Sequence, residues 1–182
     1  EALDVPDDFD FKQYLENYDW EAAKAEKLLA DNQEAFDIYA QAAERTDFQL
    51  PFTSDPKNIG PEMPAVSSIH WRRASQLSAI RALYLMKNGQ DEAAFEEVMR
   101  SLAVSTNIER SKNLYTVVYL VALGTKETSI EAMEMLINNT SLSAANLAPF
   151  QARLDELKSK ANIDIIKGEY MGFKNSHQEL LE

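Results

Sequence analysis

No cysteine occurs in the chain, so disulfides, thiolate zinc sites, iron–sulfur clusters and cysteine nucleophiles are all excluded. Five glycines and six prolines among 182 residues are too few for a turn-rich all-β fold. Histidine is as scarce: His70 and His177 stand alone, in neither the His-x-x-x-His nor the Glu-x-x-His spacing of a bundle metal site. Asp7, Asp8 and Asp10 offer oxygen ligands but lack the glycine and terminal glutamate of a calcium loop. There is no Gly-rich phosphate loop, Gly-x-Ser-x-Gly elbow or dinucleotide fingerprint. The longest strongly apolar run, residues 114–123, is too short to span a bilayer. The expectation is therefore no metal, no cofactor and no membrane span, and the reading leans against an enzyme.

Positive charge is also in short supply. The chain carries a formal charge of −12, and residues 1–47 hold 14 acids against 4 bases, most of the excess. A surface of this sign repels phosphate backbones, so nucleic acid is not an expected partner. The first residue is Glu1, not Met; if the cell removed what preceded it, an export signal is implied, with a place in the periplasm or cell envelope.

What the chain does have is helix formers in long amphipathic segments. Hydrophobic residues make up 45% of it and charged residues 26%, the balance of a globular chain. Residues 1–18 read as an acidic, aromatic arm, and residues 19–182 as one helical domain. A first helix is predicted over 20–45, capped by Asp19, with seam Leu28, Leu29, Asn32, Phe36 and Tyr39. Asn32 interrupts that face and is expected to find a neighbouring partner. Four prolines then mark a loop over 48–64, which either crosses one end of the helices and packs Phe48, Leu50, Phe52 and Ile59 or is long enough to serve a function. A second helix begins near Pro64, carries Ile69, Arg73, Leu77, Ile80 and Tyr84 on its seam, and ends at Gly89. The third starts near Asp91 and buries Phe95, Val98 and Leu102; the short turn makes it the antiparallel neighbour of the second. A fourth covers 110–138 in register across Gly124, with Leu114, Val118 and Val121 expected at the centre of the core; against that continuity, Thr128-Ser129-Ile130-Glu131 has the form of a capping box that could start a new helix. Ser143 caps a fifth with seam Leu147, Phe150, Leu154 and Leu157. The last segment repeats Ile163, Ile166, Tyr170, Phe173, His177 and Leu180, a heptad spacing close to the end of the chain.

One cluster stands out as a candidate ligand site. His70, Trp71, Arg72 and Arg73 bring cations and an aromatic ring together beside the Pro-rich loop and its Phe52. Such a group can hold an anion or carboxylate. The competing structural reading pairs Arg73 with an internal acid such as Glu34 or Glu109, leaving Arg72 solvated.

Residues 83–95, with Gly89 at the turn and small Ala93 and Ala94 after it, resemble the second half of a tetratricopeptide unit, and residues 32–43 are a looser echo. Four segments are together similar to an uncharacterised family of bacterial all-helical proteins, often exported or membrane-anchored: LLADNQEAFDIYAQA, RRASQLSAIRALYLMKNGQDEAAFEEVMRSL, the apolar fourth helix, and SLSAANLAPFQARLDEL leading into IIKGEYMGF. The resemblance implies an all-α fold of antiparallel helix pairs, bundle-like or a short solenoid, and brings no activity with it. The functional expectation is a helical interaction module for a protein or peptide partner. The alternative is a binder of, or enzyme acting on, a small anionic ligand at the loop and the His70–Arg73 cluster.

Overall fold

The computed structural model describes residues 22–45, 63–110 and 116–157. All regular structure among them is helical: α1 (Ala22–Asp31), α2 (Gln33–Ala43), α3 (Met63–Lys87), α4 (Asp91–Glu109), α5 (Thr116–Asn139) and α6 (Ala144–Glu156). The protein is all-α, as its helix-forming composition predicts. The N-terminal arm, Phe52 with most of the Pro-rich loop, Leu114, and the heptad segment with His177 lie outside the described residues.

The single helix predicted over 20–45 is divided at Asn32. That residue sits at φ −110, ψ 17, and its side-chain amide donates to Leu28 O at 2.9 Å. A side chain that takes the carbonyl four residues back competes with the backbone ladder. The ladder resumes with Phe36 N donating to Asn32 O. Asn32 is buried and satisfied by its neighbour, as expected of it.

α3 and α4 form a hairpin whose turn was legible in advance. Gly89 has φ +72; Gln90 N donates to Leu85 O and Gly89 N to Met86 O, both at 2.9 Å. This is the paired closure that ends a helix on a left-handed glycine. Nothing lies within 4 Å of where a Cβ would stand, so the requirement is one of backbone conformation, not space. Gly89→Val should lower stability by about 1–2 kcal/mol, read from urea melts; an unchanged midpoint would mean that the turn tolerates a side chain.

The core is built from α3, α4 and α5, which pack on one another; α1 leans on α3, α2 on α3 and α4, and α6 on α4. The sequence placed the centre at Leu114, Val118 and Val121. The structure puts it in α4, which buries residues on nearly every side, including Phe95, Val98, Met99, Leu102 and Ile108. Val118 is fully buried, but Val121 is only half-buried, and Ala122 takes the inward position. The apolar cores fall into two main groups. One joins Ile80, Leu83, Phe95, Met99, Leu136 and Phe150; the other joins Tyr39, Val104, Ile108, Val118 and Ala122. α5 runs unbroken through Gly124, as its periodicity predicts, and Ser143 caps α6 by accepting from Asn146 N. Arg110, expected to open the fourth helix, instead caps α4.

Candidate functional site

A polar spine runs between the two apolar groups. Ser101 and Ser105 on α4 face Ser129 and Thr125 on α5: Ser129 Oγ donates to Ser101 Oγ at 2.7 Å, and Ser105 Oγ lies 3.0 Å from Thr125 Oγ1. That pairing sets the antiparallel register of the two helices. Ser75 of α3 donates to Thr125 O at 3.0 Å, and the Tyr39 hydroxyl of α2 lies 3.2 Å from Ser101 Oγ. Burial pushes the Tyr39 phenol well above its ordinary pKa, so it stays protonated. Short side chains let the helices approach closely while each hydroxyl finds a partner. Thr106 Oγ1 is the exception, buried without one.

The spine continues into Glu97, only 3% exposed. Its carboxylate accepts from Ser78 Oγ and Arg100 Nη1, both at 2.7 Å, and lies 3.8 Å from Arg81 Nη1. Arg81 also stacks over Phe36, 4.7 Å from the ring centre, so one cation joins α2, α3 and α4. Farther along α4, Glu109 accepts from Lys126 Nζ at 2.9 Å. The two carboxylates are buried and satisfied by partly exposed cations, which is the behaviour of a structural network.

At the other end of α4, Asp91 Oδ2 accepts from Thr140 Oγ1 (2.7 Å), Ser141 N (2.8 Å) and Ser141 Oγ (3.0 Å). This ties the α3–α4 turn to the α5–α6 loop beside a shallow open depression bordered by Gly89, Glu92 and Leu142. The Thr140 and Ser141 donors hold the carboxyl below its ordinary pKa. A carboxylate with a depressed folded pKa stabilises above its unfolded pKa and loses that contribution as pH falls through the folded value. Asp91→Asn should therefore cost about 1–2 kcal/mol near neutrality. The gap to the native chain should shrink below about pH 4, checked by urea melts across that range. A gap that persists at lower pH would contradict the assignment.

The His70–Arg73 cluster is placed on α3, on the side of the second apolar group. Trp71 packs there, against the group formed by Tyr39, Val104 and Ile108. His70 is half-buried, Arg72 is exposed, and Arg73 is half-buried and partnered. The four residues share one stretch of helix, but their side chains diverge: Trp71 goes to the core and Arg72 to water.

The outer face of α5 is a feature that the sequence reading passed over. Apart from the last two residues of the helix, its exposed positions are Leu120, Leu123, Glu127, Ile130, Glu134 and Ile137, spaced 3-4-3-4-3. Leu120 is 58% exposed, Leu123 37%, Ile130 45% and Ile137 52%. The buried seam of Val118, Thr125, Ala132 and Leu136 occupies the opposite side. Among the described residues, α5 thus carries two apolar stripes, of which only one is covered. Gly124 borders the outer stripe with open space over the position of a Cβ. The signal was present in the sequence as a second heptad series, offset from the first.

Among the described residues no group of three or more His, Asp or Glu side chains could hold a metal ion, and no helix is long and apolar enough to cross a membrane. Compared with family models, curated proteins and solved structures, the chain matches none.

Proposed function

We propose that the protein is a non-enzymatic interaction module that takes an amphipathic helix of a protein or peptide partner on the outer face of α5. One observation carries the reading: four aliphatic side chains stand exposed at heptad spacing on a helix whose opposite face is packed in the core. Apolar stripes of this kind mark interaction surfaces, and their spacing matches the i, i+3, i+4, i+7 anchors of helix recognition. Glu127 and Glu134 punctuate the stripe, and the chain as a whole is acidic. A fitting partner therefore presents an Ile/Leu seam flanked by Lys or Arg. In this reading the α3–α4 hairpin is a tetratricopeptide-like scaffold that holds α5 in place.

The test is calorimetric titration of the full chain with a synthetic helical peptide bearing a Leu/Ile 3-4 seam and lysine flanks. Saturable one-to-one binding is expected, weakened about tenfold or more by Ile130→Asp, because the charge would be desolvated in an apolar contact. Arg72→Gln should leave it unchanged. Binding indifferent to Ile130→Asp would refute the α5 face. Binding lost with Arg72→Gln would transfer the site to the His70–Arg73 cluster and favour the anionic-ligand reading.

A further inference from the structure

α6 is held to the body on one side. Among the described residues it packs chiefly on α4, whereas α3, α4 and α5 each pack on the other two. Its one buried side chain is Phe150. Leu147 and Leu154, with the cap residue Leu157, are half-buried against the first apolar group, while Ala145, Ala148, Gln151, Ala152 and Asp155 face water. A helix of 13 residues is marginal in water by propensity alone. Pro149 weakens it further, since proline brings no N–H to the ladder. The folded state of α6 therefore depends on a single apolar seam.

Its polar contacts with the body are all exposed. Asn146 Nδ2 donates to Glu92 Oε1 at 3.5 Å, Arg153 Nη1 to Glu96 Oε1 at 2.6 Å, and Arg110 Nη2 to Glu156 O at 3.0 Å. Exposed contacts of this kind contribute little to holding two helices together. The loop before α6 is fastened more firmly. Asp91 Oδ2 takes its three donors from Thr140 and Ser141, so those two residues are tied to the α3–α4 turn. The first place where the chain can swing without breaking these bonds is Leu142–Ser143. Ser143 already has the extended φ −72, ψ 160 of a residue outside the helix.

We propose that α6 is a hinged cover: it lifts from α4 as a unit about Leu142–Ser143 while α3, α4 and α5 stay folded, and the Asp91 contacts are the fixed post of the hinge. Opening bares the apolar side of α4 around Phe95, whose ring centre lies 5.2 Å from that of Phe150 in the closed molecule. Elements with few buried contacts open at lower free energy than the core they rest on. This surface is separate from the outer face of α5, and the proposal does not depend on the function proposed for that face.

Native-state amide exchange of the full chain, followed by NMR where closing outpaces chemical exchange, tests the cover. The amides of Phe150, Arg153 and Leu154 are expected to exchange about tenfold or more faster than those of Met99 and Leu102 in α4. Their rates should also depend less on sub-denaturing urea, because less surface is exposed. Three variants separate cover from core, since a substitution speeds only those openings that break its own contacts. Ile108→Val thins the second apolar group, away from α6, and should speed the α4 amides about two- to tenfold while leaving those of α6 unchanged. Asp91→Asn should act in the same way, because the post stays engaged during opening. Phe150→Leu, which thins the seam itself, should speed both sets. Circular dichroism verifies folding, and Thr140→Val, which removes the 2.7 Å donor, replaces Asp91→Asn if helicity is lost. Equal rates in α6 and α4, or α6 amides sped by Ile108→Val, would show that α6 opens only with the whole molecule and overturn the cover. Acceleration of α6 by the Asp91 or Thr140 variant overturns the hinge at Leu142–Ser143. α6 amides indifferent to Phe150→Leu would exchange by fraying without undocking, which also overturns the proposal.

Discussion

Glu97→Ala should destabilise the protein by about 2–4 kcal/mol, most of it from charges left without their partner. The carboxylate is buried, accepts from Ser78 on Oε1 and from Arg100 on Oε2, and draws Arg81 toward the oxygen that Arg100 holds. Removing it leaves the Ser78 hydroxyl without an acceptor inside the α3–α4 contact and two guanidinium groups facing each other across an empty volume. Arg81 and Arg100 are about a third exposed, so water recovers part of the loss; this keeps the effect below that of a fully enclosed pair. Glu97→Gln keeps an acceptor for Ser78 and should cost less. Ser78→Ala, which removes one hydrogen bond, should cost about 1 kcal/mol. Urea denaturation of the three variants checks the order, and a Glu97→Ala midpoint equal to that of the native chain would contradict the network.

Phe95→Ala should cost about 3–5 kcal/mol, the largest single effect expected among the described residues. Phe95 is the largest of the fully buried side chains and sits where α3, α4, α5 and α6 converge. Its ring centre lies 5.2 Å from that of Phe150, tilted at 32°. Because α4 is held by neighbours on nearly every side, the cavity left by the ring has little room to collapse, which places the cost at the upper end. Phe150→Ala should cost less, since Phe150 belongs to α6, which packs chiefly on one helix. A double-mutant cycle should return a coupling of about 0.5–1.5 kcal/mol between the rings.

Those expectations depend on features of unequal legibility. The Gly89 turn, the Ser143 cap, the continuity of α5 across Gly124 and the burial of Leu77, Ile80, Phe95, Val98 and Leu102 all follow from local signals. Each depends on a residue and its nearest turns. The break at Asn32 was not legible, because the apolar spacing on either side stays in phase; the interruption comes from an amide competing for one carbonyl. The polar spine was invisible for a different reason. Serine and threonine weigh little in a hydrophobic pattern, and Ser101, Ser105, Thr125 and Ser129 acquire their meaning only when two distant helices meet. The shift from Val121 to Ala122 has the same origin, since the facing helices decide which rotation of α5 is inward. Of the candidate site, Trp71 proves to be part of the packing around Tyr39, and the outer stripe of α5 went unread because one apolar face already satisfied the helix pattern.

The stripe also accounts for a composition that would otherwise be odd. A helix with apolar residues on two faces and glutamates between them is poorly suited to water on its outer side, and the exposed aliphatics cannot be assigned to the core already formed beneath them. The docking role proposed for this face would explain both.

Isoleucine methyl groups offer the most direct measurement of that claim. In a full chain labelled at the isoleucine δ1 methyls, Ile130 and Ile137 report the outer face of α5, while Ile80 and Ile108 report the two buried groups. Addition of the synthetic amphipathic helix should move the Ile130 and Ile137 resonances progressively to saturation and leave those of Ile80 and Ile108 in place. Saturating peptide that leaves Ile130 and Ile137 unmoved would contradict the account.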